Sequence, residues 1–314
     1  SLVTDFFQEV DTTGILAPVV KHSYLITDIK DLAQSIKEAF YLARTGRPGV
    51  VLLDVTKDVQ LAEAEFEYPS EVNLPGYKPH LYGNQRQIRQ AAEMINQAEK
   101  PVIVAGHGVI IAGAEAELLT LVDRTQIPVV TSLLGKSCIP ETHPLCLGMG
   151  GMHGEACTNL AMQRCDLLVG LGTRFDDRLT SVAATFAPSA RIIHVDIDPA
   201  EIGKRVRVDL PIVGDVRNVL RDLLPLVRPA THAEWMATID TWRCDTRERD
   251  ILWKDIDELL PQYVVRSIWE ATHGEALMVS DVGQNQMWEA QYYVHCRPRG
   301  LITSGGLWTM GYGL

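Results

Sequence analysis

The sequence predicts an α/β protein, a doubly wound parallel-sheet central domain flanked by two partial α/β domains. Three observations carry this expectation. Short, mostly apolar runs recur at 50–55, 102–105, 128–131, 166–171 and 191–197, as expected of parallel strands covered on both faces. Segments with helical spacing of apolar residues alternate with them. Several of the runs end in glycine or in an acidic residue, where open α/β sheets bind ligands.

In chain order, residues 28–45 predict a helix, with Ile29, Leu32, Ala33, Ile36, Phe40 and Ala43 on one face, Thr27 or Asp28 as its cap and Gly46 as its stop. The run 50–55 follows as a buried strand. Residues 60–83, with Glu63, Glu65, Glu67, Pro69, Pro75 and Pro79, read as a linker. A second α/β series opens at Asn84, an N-cap for a helix carrying Ile88, Ala91, Ala92 and Ile95. Further helices are expected near 114–124, 155–164 and 216–224, between the remaining strand candidates. Arg228-Pro229 marks a second boundary, after which Trp235, Trp242 and Trp253 lie in a charged helical stretch. A helix beginning at Pro261 and a strand ending at Asp281 complete the series. The domains expected are 1–59, a linker 60–83, a central domain 84–229, a linker 230–249 and a last domain 250–314.

Composition narrows the function. The 314 residues carry 29 basic and 40 acidic side chains, a net charge of −11, which argues against nucleic acid or anionic membrane as partner. No apolar run approaches the roughly twenty residues of a bilayer span. Cysteines 138, 146, 157, 165, 244 and 296 form no C-x-x-C pair, so no metal site is expected and buried thiols in a reducing cytoplasm are. The start at Ser1 without a signal-like segment, and the glycine-rich end 304–314, suggest an internal fragment of a longer protein.

Several motifs can carry chemistry. Gly106-His-Gly108 follows a strand and precedes a helix, either as a phosphate-approaching turn or as a turn alone, since Ile111 stands where a third glycine would. The segment Gly170-Leu-Gly-Thr-Arg-Phe-Asp-Asp-Arg178 offers two arginines for phosphate or carboxylate, with acids to hold them. Asp196 and Asp215 close successive strand candidates, either to meet ribose hydroxyls or to cap helices. Gly148-Met-Gly-Gly-Met-His-Gly154 could place methionines on a flat ring and a histidine at its edge, although such a histidine can also be purely structural. Val282-Gly-Gln-Asn-Gln-Met-Trp288 and Ser304-Gly-Gly-Leu-Trp-Thr-Met-Gly311 form two glycine turns that could read a heteroaromatic edge.

Asp5-Phe-Phe-Gln-Glu9, Gly46-Arg-Pro-Gly49, Asp54-Val-Thr-Lys-Asp58, Gly151-Met-His-Gly154, Arg174-Phe-Asp-Asp-Arg178, His194-Val-Asp-Ile-Asp-Pro-Ala-Glu-Ile-Gly203 and Gly283-Gln-Asn-Gln-Met-Trp288 occur in that order. Together they resemble the catalytic subunits of the acetohydroxyacid synthase (acetolactate synthase) family of thiamine-diphosphate enzymes, from end to end of the chain. The resemblance implies a transferase of branched-chain amino-acid biosynthesis (isoleucine, valine and leucine). Such an enzyme decarboxylates pyruvate and joins it to a second 2-keto acid, with thiamine diphosphate, magnesium and a structural FAD. It also implies a tail of the pyrimidine-binding domain at 1–59, an FAD domain at 84–229 and the opening of the diphosphate-binding domain at 250–314. A cytoplasmic homodimer or homotetramer, with a regulatory subunit possible, is implied in turn.

By the same resemblance, FAD would be lined by Gly106, His107, Gly108, Ser132, Leu133, Met152, His153, Gly172, Thr173, Arg174, Asp176, Arg178 and Leu179, with Asp196, Ile197, Asp215 and Val216 near its adenosine half. Phe7 and Gln8 would be catalytic residues lent across a dimer interface. Val282, Gly283, Gln284, Asn285 and Met310 would hold thiamine diphosphate, and Arg178 would bind the acceptor carboxylate. The family's catalytic glutamate is expected upstream of residue 1 and its magnesium segment beyond residue 314, so this chain alone is expected to be inactive. His107, Asn285, Trp308 and Asn73 depart from the family pattern. Another keto-acid carboligase, decarboxylase or oxidase of the same superfamily, or an inactive nucleotide-binding module, is the alternative.

Overall fold

The computed structural model describes residues 7, 9–249 and 257–314, in two compact units divided after His80. The first unit contains α1 (Thr12–Leu16), β1 (His22–Ile26), α2 (Ile29–Arg44), β2 (Val51–Val55) and α3 (Lys57–Leu61). The two strands pair in parallel, connected through α2. Asp28 caps α2 through its carboxylate, which accepts from the Lys30 N–H. At the other end, the Lys21 ammonium donates to the carbonyls of Leu42, Thr45 and Arg47 at 2.6 to 2.9 Å, a cation placed on the negative end of the helix dipole. Every residue of β2 is only half-buried, contrary to the expectation of a strand covered on both faces. The reason is the small sheet: the two strands and three helices among the described residues of this unit leave both faces partly open.

The second unit contains α4 (Gln85–Gln97), β3 (Pro101–Ala105), α5 (His107–Ala112), α6 (Glu115–Thr125), β4 (Val129–Thr131), β5 (Cys146–Met149), α7 (Ala156–Arg164), β6 (Leu167–Leu171), α8 (Asp177–Thr180), β7 (Arg191–Asp196), β8 (Leu210–Val213), α9 (Val216–Leu223), α10 (Ala233–Arg249), α11 (Pro261–Thr272), β9 (Met278–Ser280), α12 (Gln284–Tyr292) and β10 (Leu301–Thr303). Six strands form one all-parallel sheet in the order β5-β4-β3-β6-β7-β8. β9 and β10 form a separate parallel pair.

Alternation along the strands divides the core in two. Ile103, Ala105, Val129, Val169 and Ile193 join a buried cluster with residues of α4, α5, α6 and α9. Val102, Val104, Val130, Leu168 and Ile192 join a second cluster with α7 and α10. The result is a three-layer, doubly wound domain, because the central strands are covered by helices on both sides.

Three expectations need correction here. The segment 146–149 is a strand, at the edge of the sheet, with a register shift between Val129 and Val130 on its neighbour. Its interior glycine and its edge position remove the apolar run that marks the central strands. Residues 230–249, expected as a linker, include α10, whose Trp235 is 3% exposed and donates its indole N–H to the Pro101 carbonyl at 3.2 Å. Finally, four of the six cysteines are buried thiols as expected, but Cys244 and Cys296 are exposed.

Trp235→Ala is expected to destabilise the protein by about 3–5 kcal/mol, the range for deleting a buried aromatic side chain. Urea unfolding of the variant beside wild type measures it, and a change within 0.5 kcal/mol would return the helix to the status of a linker.

Candidate functional site

Each of the six strands of the large sheet delivers candidate residues at its carboxyl end: Gly106, His107 and Gly108 after β3, Ser132 and Leu133 after β4, Met152 and His153 after β5, Gly172 to Leu179 after β6, Asp196 and Ile197 at β7, and Asp215 and Val216 after β8. The strand order reverses between β3 and β6, the point at which such sheets open a crevice for ligands.

At that point the two backbones touch. A Cβ on Gly106 would lie 2.2 Å from the Gly172 carbonyl oxygen, and one on Gly172 would lie 2.5 Å from the Gly108 Cα. Gly172 also has φ = 56°, a conformation that costs glycine little. The Gly106 N–H donates to the Leu171 carbonyl at 2.9 Å and the Gly108 N–H to the Gly172 carbonyl at 3.0 Å. Both donors are therefore spent inside the fold, where the glycines serve close packing, the second of the two roles open to this turn.

Phe175 explains why its charged neighbours face outward. It is buried at φ = 50°, and its ring occupies the space beside Gly170, where a Cβ would approach it to 2.5 Å. His194 of β7 meets the ring edge-on, centroids 5.0 Å apart, and bonds the Thr173 carbonyl through Nε2 at 2.7 Å. With Phe175 turned in, Arg174 and Asp176 turn out and pair at 3.0 Å, while a carboxylate oxygen of Asp176 accepts from the Leu179 N–H. Asp177 is 4.0 Å from Arg178, whose Nη1 donates to the Met152 sulfur at 3.3 Å.

The loop after β5 is fastened to this turn. The Met152 N–H donates to the Arg178 carbonyl at 2.7 Å, and the Asn159 side chain bonds both the N–H and the carbonyl of Gly151. Gly151 (φ = 98°) admits the contact, since a Cβ there would sit 2.4 Å from the Arg178 carbonyl oxygen. Gln291 of α12 donates to the His153 carbonyl at 2.7 Å.

Asp215 caps α9, accepting from the Asn218 N–H, and Asp196 accepts from the Asp198 N–H. The side chains of Val216 and Leu179 lie in the core clusters, so only their backbones face the edge. Gly283 follows β9 and caps α12, leaving Gln284 and Asn285 exposed on its first turn, while Gln286 points inward to Thr303 and Ser304. Val282 is half-buried and Met310 is 80% exposed. The Val282 N–H, joined by those of Gly311 and Tyr312, holds the Asp281 carboxyl below the usual carboxylate range. Phe7 belongs to the first unit and is 90% exposed; Gln8 lies outside the described residues.

The model of the thiamine pyrophosphate enzyme central domain matches residues 88–223, and that of the thiamine pyrophosphate enzyme C-terminal TPP-binding domain matches 281–314. The chain belongs to the thiamine pyrophosphate enzyme family. It is 46% identical to a probable acetolactate synthase large subunit of Methanocaldococcus jannaschii, covering 98% of the chain and 54% of that protein. To the acetolactate synthase large subunit of Corynebacterium glutamicum it is 46% identical, covering 99% and 50%. To the large subunit of acetolactate synthase isozyme 3 of Escherichia coli the identity is 42%, covering 99% and 55%. The chain thus spans about half the length of these relatives. The central-domain match embraces the whole carboxyl edge of the large sheet, and the C-terminal match begins at Asp281.

Several residues of this edge escaped the sequence reading. Phe175, Asn159, His194 and Gln291 hold the loops rather than face a ligand. For Phe175 a signal existed, an apolar residue inside a charged loop. Two predictions follow from their packing. Gly172→Ala should cost about 2–4 kcal/mol from backbone strain and overlap, read by denaturant unfolding, and an unchanged midpoint would refute the close approach. Burial, opposed by the Thr173 carbonyl and Glu201, holds the His194 imidazole below its ordinary value, and its Nδ1 has no hydrogen-bond partner among the described residues. The unfolded imidazole therefore takes a proton first, and stability from this group declines as pH falls below about 6.5, at most about 1.4 kcal/mol per pH unit. His194→Gln keeps a donor without titrating, so unfolding at pH 7.5 and pH 5.5 should show a shallower loss in the variant.

Proposed function

We propose that the chain acts within an acetolactate synthase catalytic subunit, a thiamine-diphosphate-dependent transferase that decarboxylates pyruvate and joins it to a second 2-keto acid. The observation that carries this reading is the convergence of six strand ends at one sheet edge, reversing at the β3–β6 crossing, in a chain 42–46% identical to large subunits of that name. The proposed domains are a partial pyrimidine-binding domain at 1–59, an FAD domain at 84–229 and a partial diphosphate-binding domain at 250–314.

The donor set suits FAD. Arg174 supplies a partly exposed cation for a phosphate, the Ser132 hydroxyl follows β4 and the Thr173 backbone precedes Arg174 in the β6 loop, and the Asp196 and Asp215 carboxylates offer acceptors to ribose hydroxyls at the far strands. His107, Gly108, Met152 and His153 would border its ring or pyrophosphate. Asp196 and Asp215 also hold their own turns, so each would accept through its remaining lone pairs.

Thiamine diphosphate, when bound, supplies the carbanion and the electron sink for decarboxylation. The chain's own residues would serve around it. Gln284 and Asn285, free on the first turn of α12, would bond its polar edge, with Val282 and Gly283 as backbone wall and Met310 as apolar cover. Arg178, 57% exposed at its side chain, would hold the acceptor's carboxylate through in-plane N–H groups and so orient its carbonyl. Phe7 and Gln8 would enter from the first unit of a partner copy, which makes a homodimer or homotetramer the working assembly. The large-subunit names of the relatives support a regulatory small subunit as a further partner. No helix among the described residues is long and apolar enough to cross a membrane, and six free thiols suit a reducing, cytoplasmic setting.

The full-length parent protein, given pyruvate, thiamine diphosphate, magnesium and FAD, is expected to release carbon dioxide and form acetolactate. Arg178→Gln should lose at least tenfold in kcat/KM, from a charge-assisted bond of about 1.5–3 kcal/mol. A folded wild-type parent that consumes no pyruvate would sink the proposal. FAD titrated into the present chain should show quenched flavin fluorescence, and Gly172→Ala should weaken it.

A further inference from the structure

Trp308 holds a left-handed backbone conformation, φ = 52°, that bulky side chains rarely adopt. Its indole contacts two side chains from the carboxyl edge of the large sheet. One is the His153 imidazole, ring centroids 5.3 Å apart and tilted by 45°. The other is the Arg178 guanidinium, which lies over the indole with its central carbon 5.3 Å from the centroid. Burial, and then the positive charge of Arg178, hold His153 below its ordinary value, so the indole meets one neutral ring and one cation.

The other contacts of Arg178 are weak. One nitrogen donates to the thioether of Met152 at 3.3 Å, and Nε stands 4.0 Å from the Asp177 carboxylate. Among the described residues, no acid grips the guanidinium through two parallel bonds. An aromatic ring covers the face of a guanidinium, whereas a carboxylate binds its edge. The indole can thus fix the plane of Arg178 without using the N–H groups that a substrate carboxylate needs.

We propose that Trp308 is a positioning residue for Arg178, orienting the guanidinium so that its edge is presented to the carboxylate of a 2-keto acid. This rests on the reading of Arg178 as the acceptor's anchor. Without the indole the guanidinium rotates and the carboxylate must order it on binding, which weakens binding more than it slows the chemistry.

The test uses the full-length parent protein loaded with its cofactors. Trp308→Gly suits the left-handed backbone, so the variant should melt no lower than wild type. It is expected to raise the KM for pyruvate about two- to fivefold, the strength of an exposed cation–π contact, while kcat changes less. Trp308→Phe, which keeps an aromatic face, should recover most of the loss. Acetolactate formation with an unchanged KM in the glycine variant overturns this inference and leaves the proposed function standing. Loss of kcat and melting temperature together marks a structural role and overturns it as well. A wild-type parent that forms no acetolactate overturns the function, and this inference with it.

Discussion

The structure of the second unit depends on one backbone crossing, that of Gly106 and Gly108 against Gly172. Parallel strands β3 and β6 lie side by side, and their chains must part at the carboxyl ends, one toward each face of the sheet. Any side chain at the crossing would force them apart, because its Cβ would lie only 2.2 to 2.6 Å from the facing backbone. Because the crossing is tight, it consumes the N–H groups of Gly106 and Gly108, so in the proposed function recognition falls to neighbouring side chains. The glycine pattern acts through packing, by bringing the start of α5 and the 172–178 turn together.

From that crossing the rest of the edge follows by fastening. His194 and Phe175 wedge the β6 turn from below, the Arg178 carbonyl receives the Met152 N–H, and Asn159 clamps Gly151. Each loop is held by a bond to the next strand's loop, so the six strand ends act as one surface. Such mutual support lets exposed cations such as Arg174 and Arg178 keep defined directions despite long side chains.

The parts legible in the sequence were those where burial is symmetric. Central strands β3, β6 and β7 are covered on both faces and read as apolar runs at their true positions. The same reading failed at β2, whose apolar run is only half-buried, because periodicity reports what a chain would bury and not how much partner surface the unit provides. It also passed over β5, whose glycine breaks the run, and it assigned the helical stretch of α10 to a linker although Trp235, Ile239 and Trp242 join the core of the large sheet. Candidate residues at strand ends were legible because topology places them. The contacts of Trp308 were not, since they depend on a positive φ angle that residue identity argues against.

A buried ionic chain extends the fastening from the large sheet to α12. Lys136 pairs with Glu141 at 2.5 Å; Glu141 in turn accepts from the His295 N–H, and the His295 ring bonds Glu289 of α12 at 2.6 Å. Burial alone would drive the Lys136 ammonium toward neutrality, but Glu141 and then Glu289 outweigh it and raise it above its ordinary value. Charges so enclosed contribute little net stability against apolar replacements, yet removing one partner is costly. Their effect is on geometry. A buried charge tolerates few alternative partners, so Glu289 fixes the position of α12, and with it the first turn that carries Gln284 and Asn285. The Gln291 bond to the His153 carbonyl adds a second tie between the same two elements. Position along α12 is thereby set from the central sheet, against whose strand β5 the helix also packs, so the two candidate cofactor regions share one frame.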